Sequence, residues 1–231
     1  MLSIEEYLKE FTEEVAILSQ SYLVWKYLNN EIFSNIKFKE ILNENSSTWS
    51  TIIHSLQLTS FISLGRIFDS DGDSFTIDKL LVFCIENIDQ FDKDYLLKRK
   101  LSNWQGESIP DYLYRSTDDA HVPEEKEFLM LRGEVRKHKN IYNSQFMPIR
   151  HKLMAHKDFV AIGSASNLMS NTTFGSFENL ISFCNKIKHV IYHQCQSGRK
   201  MCLPQDLFFD AHDVIAKLEV KKITANLLKN A

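Results

Sequence analysis

The chain reads as an all-α protein. Apolar residues recur every three to four positions through most of it, and only 7 Gly and 4 Pro occur in 231 residues, too few for a turn-dense β architecture. Hydrophobic residues make up 44% and charged residues 25%, the balance of a globular chain rather than a disordered one. A chain of this length can bury a sizeable core as one domain. We expect a single helical domain over residues 1–231, with an insertion at about 89–122 and a C-terminal helical extension from about 200.

The first helix is announced by Ser3 and Glu6, a capping-box pair with an acidic first turn. Ile4, Leu8, Phe11, Val15, Leu18, Tyr22 and Trp25 follow in steps of four and three, ending near Asn29 and Asn30. Such a stripe serves either as a seam for a partner or as the core face of the same domain. The Ser46-Ser47-Thr48 cluster predicts the cap of a second helix that runs to about Phe68. No Asp, Glu, Lys or Arg occurs from Asn45 through Gly65, which predicts a buried central position. Ser74 or Thr76 caps a third helix, about Ile77 to Ile88.

Residues 89–122 predict loops around short helical pieces, and Pro123 suits the first turn of a long helix toward Asn143–Phe146. Pro148 kinks that helix or begins another, over Ile149 to Lys157. Phe177 to Ile191 predict an amphipathic helix ending before Gly198, and Pro204 to Lys217 a last one before a frayed tail.

Several function classes are excluded at this level. No apolar run is long enough to span a bilayer, and the N-terminus has no basic stretch leading into an apolar one, so we expect a cytoplasmic protein without a membrane partner. Four cysteines without a C-x-x-C pairing read as reduced thiols. His189 and His193 have metal-chelating spacing near Cys195 and Cys202, but no H-E-x-x-H motif is present and we expect no metal and no cofactor. Asp69, Asp71 and Asp73 alternate as in a calcium loop, yet Gly72 is misplaced and Leu80 stands where the closing glutamate belongs. No Gly-rich phosphate loop, nucleophile elbow or dinucleotide fingerprint occurs.

The net charge is -3, so the whole molecule is no general binder of nucleic acid. Residues 130–160 nevertheless hold seven basic side chains (Arg132, Arg136, Lys137, Lys139, Arg150, Lys152, Lys157) against Glu134 and Asp158. This zone reads either as a phosphate-contacting surface or as a solvated helix face.

Within it, Arg150, His151, Lys152, His156 and Lys157 surround a small apolar core. Arginine offers a fork of donors to phosphate, and histidine exchanges protons near neutral pH. Together they suit attack of an RNA 2′-hydroxyl on its own phosphate, a reaction that needs no metal. On a straight helix six residues place Arg150 and His156 about 120° apart around the axis and about 9 Å apart along it. Either a bend separates them or a second subunit completes the site.

The segment Arg150-His151-Lys152-Leu153-Met154-Ala155-His156 resembles the arginine–polar–spacer–histidine motif of HEPN proteins (higher eukaryotes and prokaryotes nucleotide-binding). The stretch Thr59-Ser-Phe-Ile-Ser-Leu-Gly-Arg66-Ile-Phe-Asp69, followed by Phe75-Thr-Ile-Asp-Lys-Leu-Leu81, resembles their abortive-infection U-type branch. The resemblance covers roughly residues 5–195 and implies an all-α, HEPN-like helical bundle that forms a homodimer around a catalytic cleft. It implies a metal-independent endoribonuclease in phage defence or a toxin–antitoxin pair, with RNA as substrate and a possible antitoxin or regulatory protein as partner. The alternative it leaves open is a non-catalytic scaffold binding RNA or protein. By the same resemblance Arg150 would hold the scissile phosphate and His156 would act as general acid or base. His151 would orient a partner or contact RNA, and Lys152 and Lys157 would bind RNA. Arg66 would position phosphate or pair with Asp69.

Overall fold

The computed structural model describes residues 3–69, 75–106, 108–155, 170, 172–206 and 208–230. Helix α1 (Ile4–Ser34) runs through the centre, and α2 (Ile36–Glu44) follows it directly. Helices α3 (Ser46–Phe68), α4 (Ile77–Glu86), α5 (Lys93–Ser102), α6 (Asp111–Asp118) and α7 (Glu125–Ile141) come next. After wide turns through Ala155, α8 (Phe174–Ser197) and α9 (Ala211–Asn230) close the bundle. No strand occurs among the described residues, and the fold is an all-α bundle.

The α1 stripe is the core face of its own domain. Ile4, Leu8, Phe11, Val15, Leu18 and Tyr22 are buried against α3, α4 and α8. Tyr22 stacks on Phe177 with ring centroids 4.8 Å apart, and Phe61 and Phe146 meet the same Phe177 ring edge-on. The Ser3 hydroxyl accepts from Glu6 N–H at 3.2 Å while Glu6 accepts from Ser3 N–H, the reciprocal cap its sequence predicts. A smaller core of Leu28, Phe38 and Leu42 joins the far ends of α1, α2 and α9.

Several expected boundaries move, each for a physical reason. Helix α1 continues past Asn29–Asn30 to Ser34, because Asn35 both ends it and caps α2 by accepting from Phe38 N–H. Helix α3 is preceded by Asn45, which makes no side-chain cap bond, so Ser46, Ser47 and Thr48 lie inside the first turn instead of capping it. The absence of charge up to Gly65 also does not mean uniform burial: most of residues 46–55 are exposed, and only the turns from Ser60 onward are buried. Helix α4 is capped by Thr76 and stops at Glu86, passing into a 3-10 turn over Ile88–Phe91.

Residues 89–122 carry α5 and α6, held to the bundle by Arg99, which donates to the carbonyls of Gln90 and Cys195. Pro123 stands just outside α7, whose capping pair is Glu124 and Glu127. Helix α8 ends at Gly198 in the left-handed region (φ 59°), where Ala120 packs so closely that a side chain would overlap it. The last helix occupies Ala211–Asn230 rather than Pro204 to Lys217. Asp210 and Asp213 each accept from the other's backbone N–H and so start it, while Lys188 pairs with Asp210 and Ser182 accepts from Phe208 N–H, holding the preceding segment across α8.

Candidate active site

The residues that position Arg150 come from two helices distant in sequence. Helix α7 ends in a wide turn, Tyr142–Phe146, in which Met147 N–H reaches back five residues to the Tyr142 carbonyl. Pro148 follows at once, and its ring would clash with a carbonyl four residues earlier in a regular helix. A short helical piece, Met147–Ile149, leads into a second wide turn over Arg150–Ala155. The chain around Arg150 therefore departs from the straight helix on which a 120° separation from His156 rests.

Arg150 lies beside the end of α3. Its Nη1 donates to Asp69 Oδ2 in an ion pair and to the Tyr142 hydroxyl at 3.3 Å. Tyr142 in turn donates its O–H to Asp69 Oδ1 at 3.1 Å. His151 Nε2 approaches Nη1 at 3.4 Å. Both partners of the ion pair are largely buried, at 18% and 17% side-chain exposure, so solvent screens them weakly. Arg150 Nε is buried and finds no acceptor among the described residues. Burial, reinforced by the Asp69 charge and opposed by Arg150, pushes the Tyr142 hydroxyl up to about 12, and it stays a donor at neutral pH.

Gly65 makes room for this arrangement. A Cβ built there would sit 2.8 Å from Arg150 Cζ and closer still to Cδ and Nε. Gly65 is buried within α3, so its role is the close approach of a side chain, not a turn.

Asp69 pairs with Arg150, not with Arg66. It is the residue after the last turn of α3, and its backbone has left the helix (φ -58°, ψ 154°), which turns the carboxylate toward Tyr142. Arg66 instead reaches Glu14 on α1 at 3.5 Å and is 58% exposed, beside a small cleft shared with Glu10 and Phe75. Lys152 is exposed. His156 and Lys157 lie outside the described residues, as do Asp71 and Asp73. The structure thus gathers Arg150, His151 and Asp69, leaves Arg66 apart, and adds Tyr142 and Gly65, which sequence reasoning missed. An isolated glycine inside a helical pattern was the available signal for Gly65.

The basic zone is partly neutralised within the fold. Arg132 forks onto Asp78 at 3.0 and 3.2 Å, and Lys137 pairs with Glu134 at 2.6 Å. His138 lies flat on Phe183 at 3.7 Å, and burial lowers its pKa. His189 and His193 touch ring to ring at 4.2 Å, and no group of three or more metal-binding side chains occurs among the described residues. Cys195 is buried while Cys202 is exposed. A groove of about 920 Å³ lies between α7, α8 and residues 200–205, but it shares no residue with the Arg150 cluster.

Residues 1–208 match the family model of AbiU2, a HEPN family. The chain belongs to the AbiU2 family of HEPN proteins. Neither the curated proteins nor the solved structures yield a match to it. Membership supports a nuclease or RNA-binding role in general terms, and AbiU2-type HEPN proteins often act with a partner in toxin–antitoxin or defence systems. Among the described residues no helix is long and apolar enough to cross a membrane.

Proposed function

We propose that this AbiU2-family chain is a metal-independent endoribonuclease. The observation that carries the reading is the fixed placement of Arg150. Tyr142 and Asp69 hold its guanidinium in a largely buried hydrogen-bonded cluster, beside His151 and ahead in sequence of His156. A pre-set arginine is what stabilisation of a phosphorane requires, because it is not reorganised as charge develops.

In this reading His156 removes the 2′-hydroxyl proton or protonates the leaving 5′-oxygen, and water carries the other of these two proton transfers. The 2′-oxygen bonds to phosphorus, the bond to the 5′-oxygen breaks, and the products carry a 2′,3′-cyclic phosphate and a 5′-hydroxyl. Arg150 neutralises the phosphate oxygens, and Lys152 and Lys157 draw in the flanking RNA backbone. A homodimer would bring two Arg150–His156 pairs to one cleft. The biological role would be phage defence or the toxin of a toxin–antitoxin pair, restrained by a partner protein in the cytoplasm.

A second reading, a non-catalytic HEPN scaffold, draws on one observation: the Arg150 charge is already balanced by Asp69 inside the protein. Incubation of purified protein with total RNA in EDTA, wild type beside His156→Ala, separates the two. Cleavage by wild type alone with cyclic phosphate ends supports the enzyme. Equal cleavage by both removes His156 from the site, and RNA or protein binding without cleavage favours the scaffold.

A further inference from the structure

We propose that Tyr142, a residue outside the arginine–histidine motif, is the positioning residue for the Arg150 guanidinium. The inference rests on the ribonuclease reading of Arg150. On an uninterrupted α-helix, residues eight apart point about 80° away from each other. A turn bonded five residues back takes up roughly one extra residue and rotates the succeeding chain by about 100°, which returns residue 150 nearly to the face of residue 142. The wide turn over Tyr142–Phe146 lies between the two and accounts for their meeting.

The Tyr142 hydroxyl does two things at once. It donates to Asp69 Oδ1 and accepts from Arg150 Nη1, closing a three-membered ring of contacts whose third side is the Asp69–Arg150 ion pair. Asp69 alone would hold Nη1 by a single carboxylate free to rotate about its own bond. Tyr142 fixes that rotation by occupying the other oxygen. The phenol ring is itself fully buried and stacked on Phe68 with centroids 5.7 Å apart. All the contacts of the clamp fall on Nη1, so it fixes one arm of the guanidinium fork. The raised Tyr142 pKa keeps the donor protonated through the range in which a histidine works.

The test uses Tyr142→Phe, which keeps the buried ring and removes only the hydroxyl, and Asp69→Asn, which keeps the shape and removes the charge. Each is compared with wild type in two assays. Nitrogen-15 NMR reads whether the two Nη groups of Arg150 are separately resolved, which reports restricted guanidinium rotation independently of any reaction. Cleavage kinetics per folded molecule are read alongside. We expect resolved Nη resonances in wild type, averaged ones in both variants, and a fall in kcat of about ten-fold for Tyr142→Phe with little change in KM. Resolved resonances in Tyr142→Phe, averaged ones already in wild type, or an unchanged kcat per folded molecule would overturn the inference. If wild type cleaves no RNA while the NMR change follows the hydroxyl, the ribonuclease reading falls and the positioning of Arg150 by Tyr142 stands.

Discussion

Gly65 and Arg150 form one steric unit: the side chain of Arg150 lies across the backbone of Gly65, in space that a Cβ would fill. The contact joins the end of α3 to the turn after α7 and sets Arg150 within reach of Asp69 and Tyr142.

Gly65→Ala tests that unit, because two known effects oppose each other there. Alanine stabilises an ordinary helix interior by about 1 kcal/mol over glycine. Overpacking costs about 1–3 kcal/mol, and here the neighbour is pinned by an ion pair. We expect the variant to lose up to about 2 kcal/mol in urea unfolding. In an Arg150→Ala background the same substitution should be neutral or stabilising, since the obstructing side chain is gone. A loss of equal size in both backgrounds would remove the contact from the explanation.

Protonation of Asp213 should stabilise the fold. It is buried, and burial together with the charge of Asp210 raises its pKa from 3.8 to about 6. A raised folded-state pKa means that the native state binds the proton more tightly, so stability grows as pH falls from above 6 toward about 4, by on the order of 2–3 kcal/mol. Asp210, held below its ordinary value, acts in the opposite sense only at lower pH. Asp213 Oδ1 and Asn185 Oδ1 both lack a donor among the described residues, and an added proton supplies one. Asp213→Asn should therefore raise the melting temperature at pH 8 and flatten its dependence between pH 5 and 7. A variant less stable than wild type at pH 8 would contradict this account.

Leu18 lies at the centre of the α1 stripe and is fully buried in the protein's own core. Leu18→Ala should lower unfolding free energy by about 2–5 kcal/mol. Sedimentation of the folded fraction should be unchanged, since the side chain faces no partner. A change of oligomeric state without loss of stability would return the stripe to an interface.

The basic residues of 130–160 should divide into two groups. Arg132 spends its fork on Asp78, so Arg132→Ala should destabilise by about 1 kcal/mol while leaving the salt dependence of RNA binding intact. Exposed Lys152 should behave oppositely: Lys152→Ala should reduce the slope of log affinity against log salt by about 1 unit, with stability unchanged. Matching slopes for wild type and Lys152→Ala would take Lys152 off the RNA path.

Much of this protein is local and therefore legible in its residues. Helix periodicity, the Ser3–Glu6 capping box, Thr76 at the start of α4 and the break at Gly198 each depend on neighbours within a few positions. The stripe of α1 marked a buried face, although only packing could decide that the face belonged to the same domain. Long-range partners decided the rest. The start of α9 lies at Ala211 because Asp210 finds Lys188 and Asp213 finds Asn185, both on α8. The part of α3 that carries no charge, up to Gly65, is half exposed because burial follows position in the bundle, not composition alone. Above all, the arginine of a seven-residue motif takes its setting from Asp69, 81 positions away, and from Tyr142, which a wide turn before Pro148 rotates onto its face. Periodicity assumes a regular helix, and neither an inserted residue nor a distant carboxylate leaves a mark in it, so the motif singled out Arg150 while tertiary packing alone determined how its guanidinium is held.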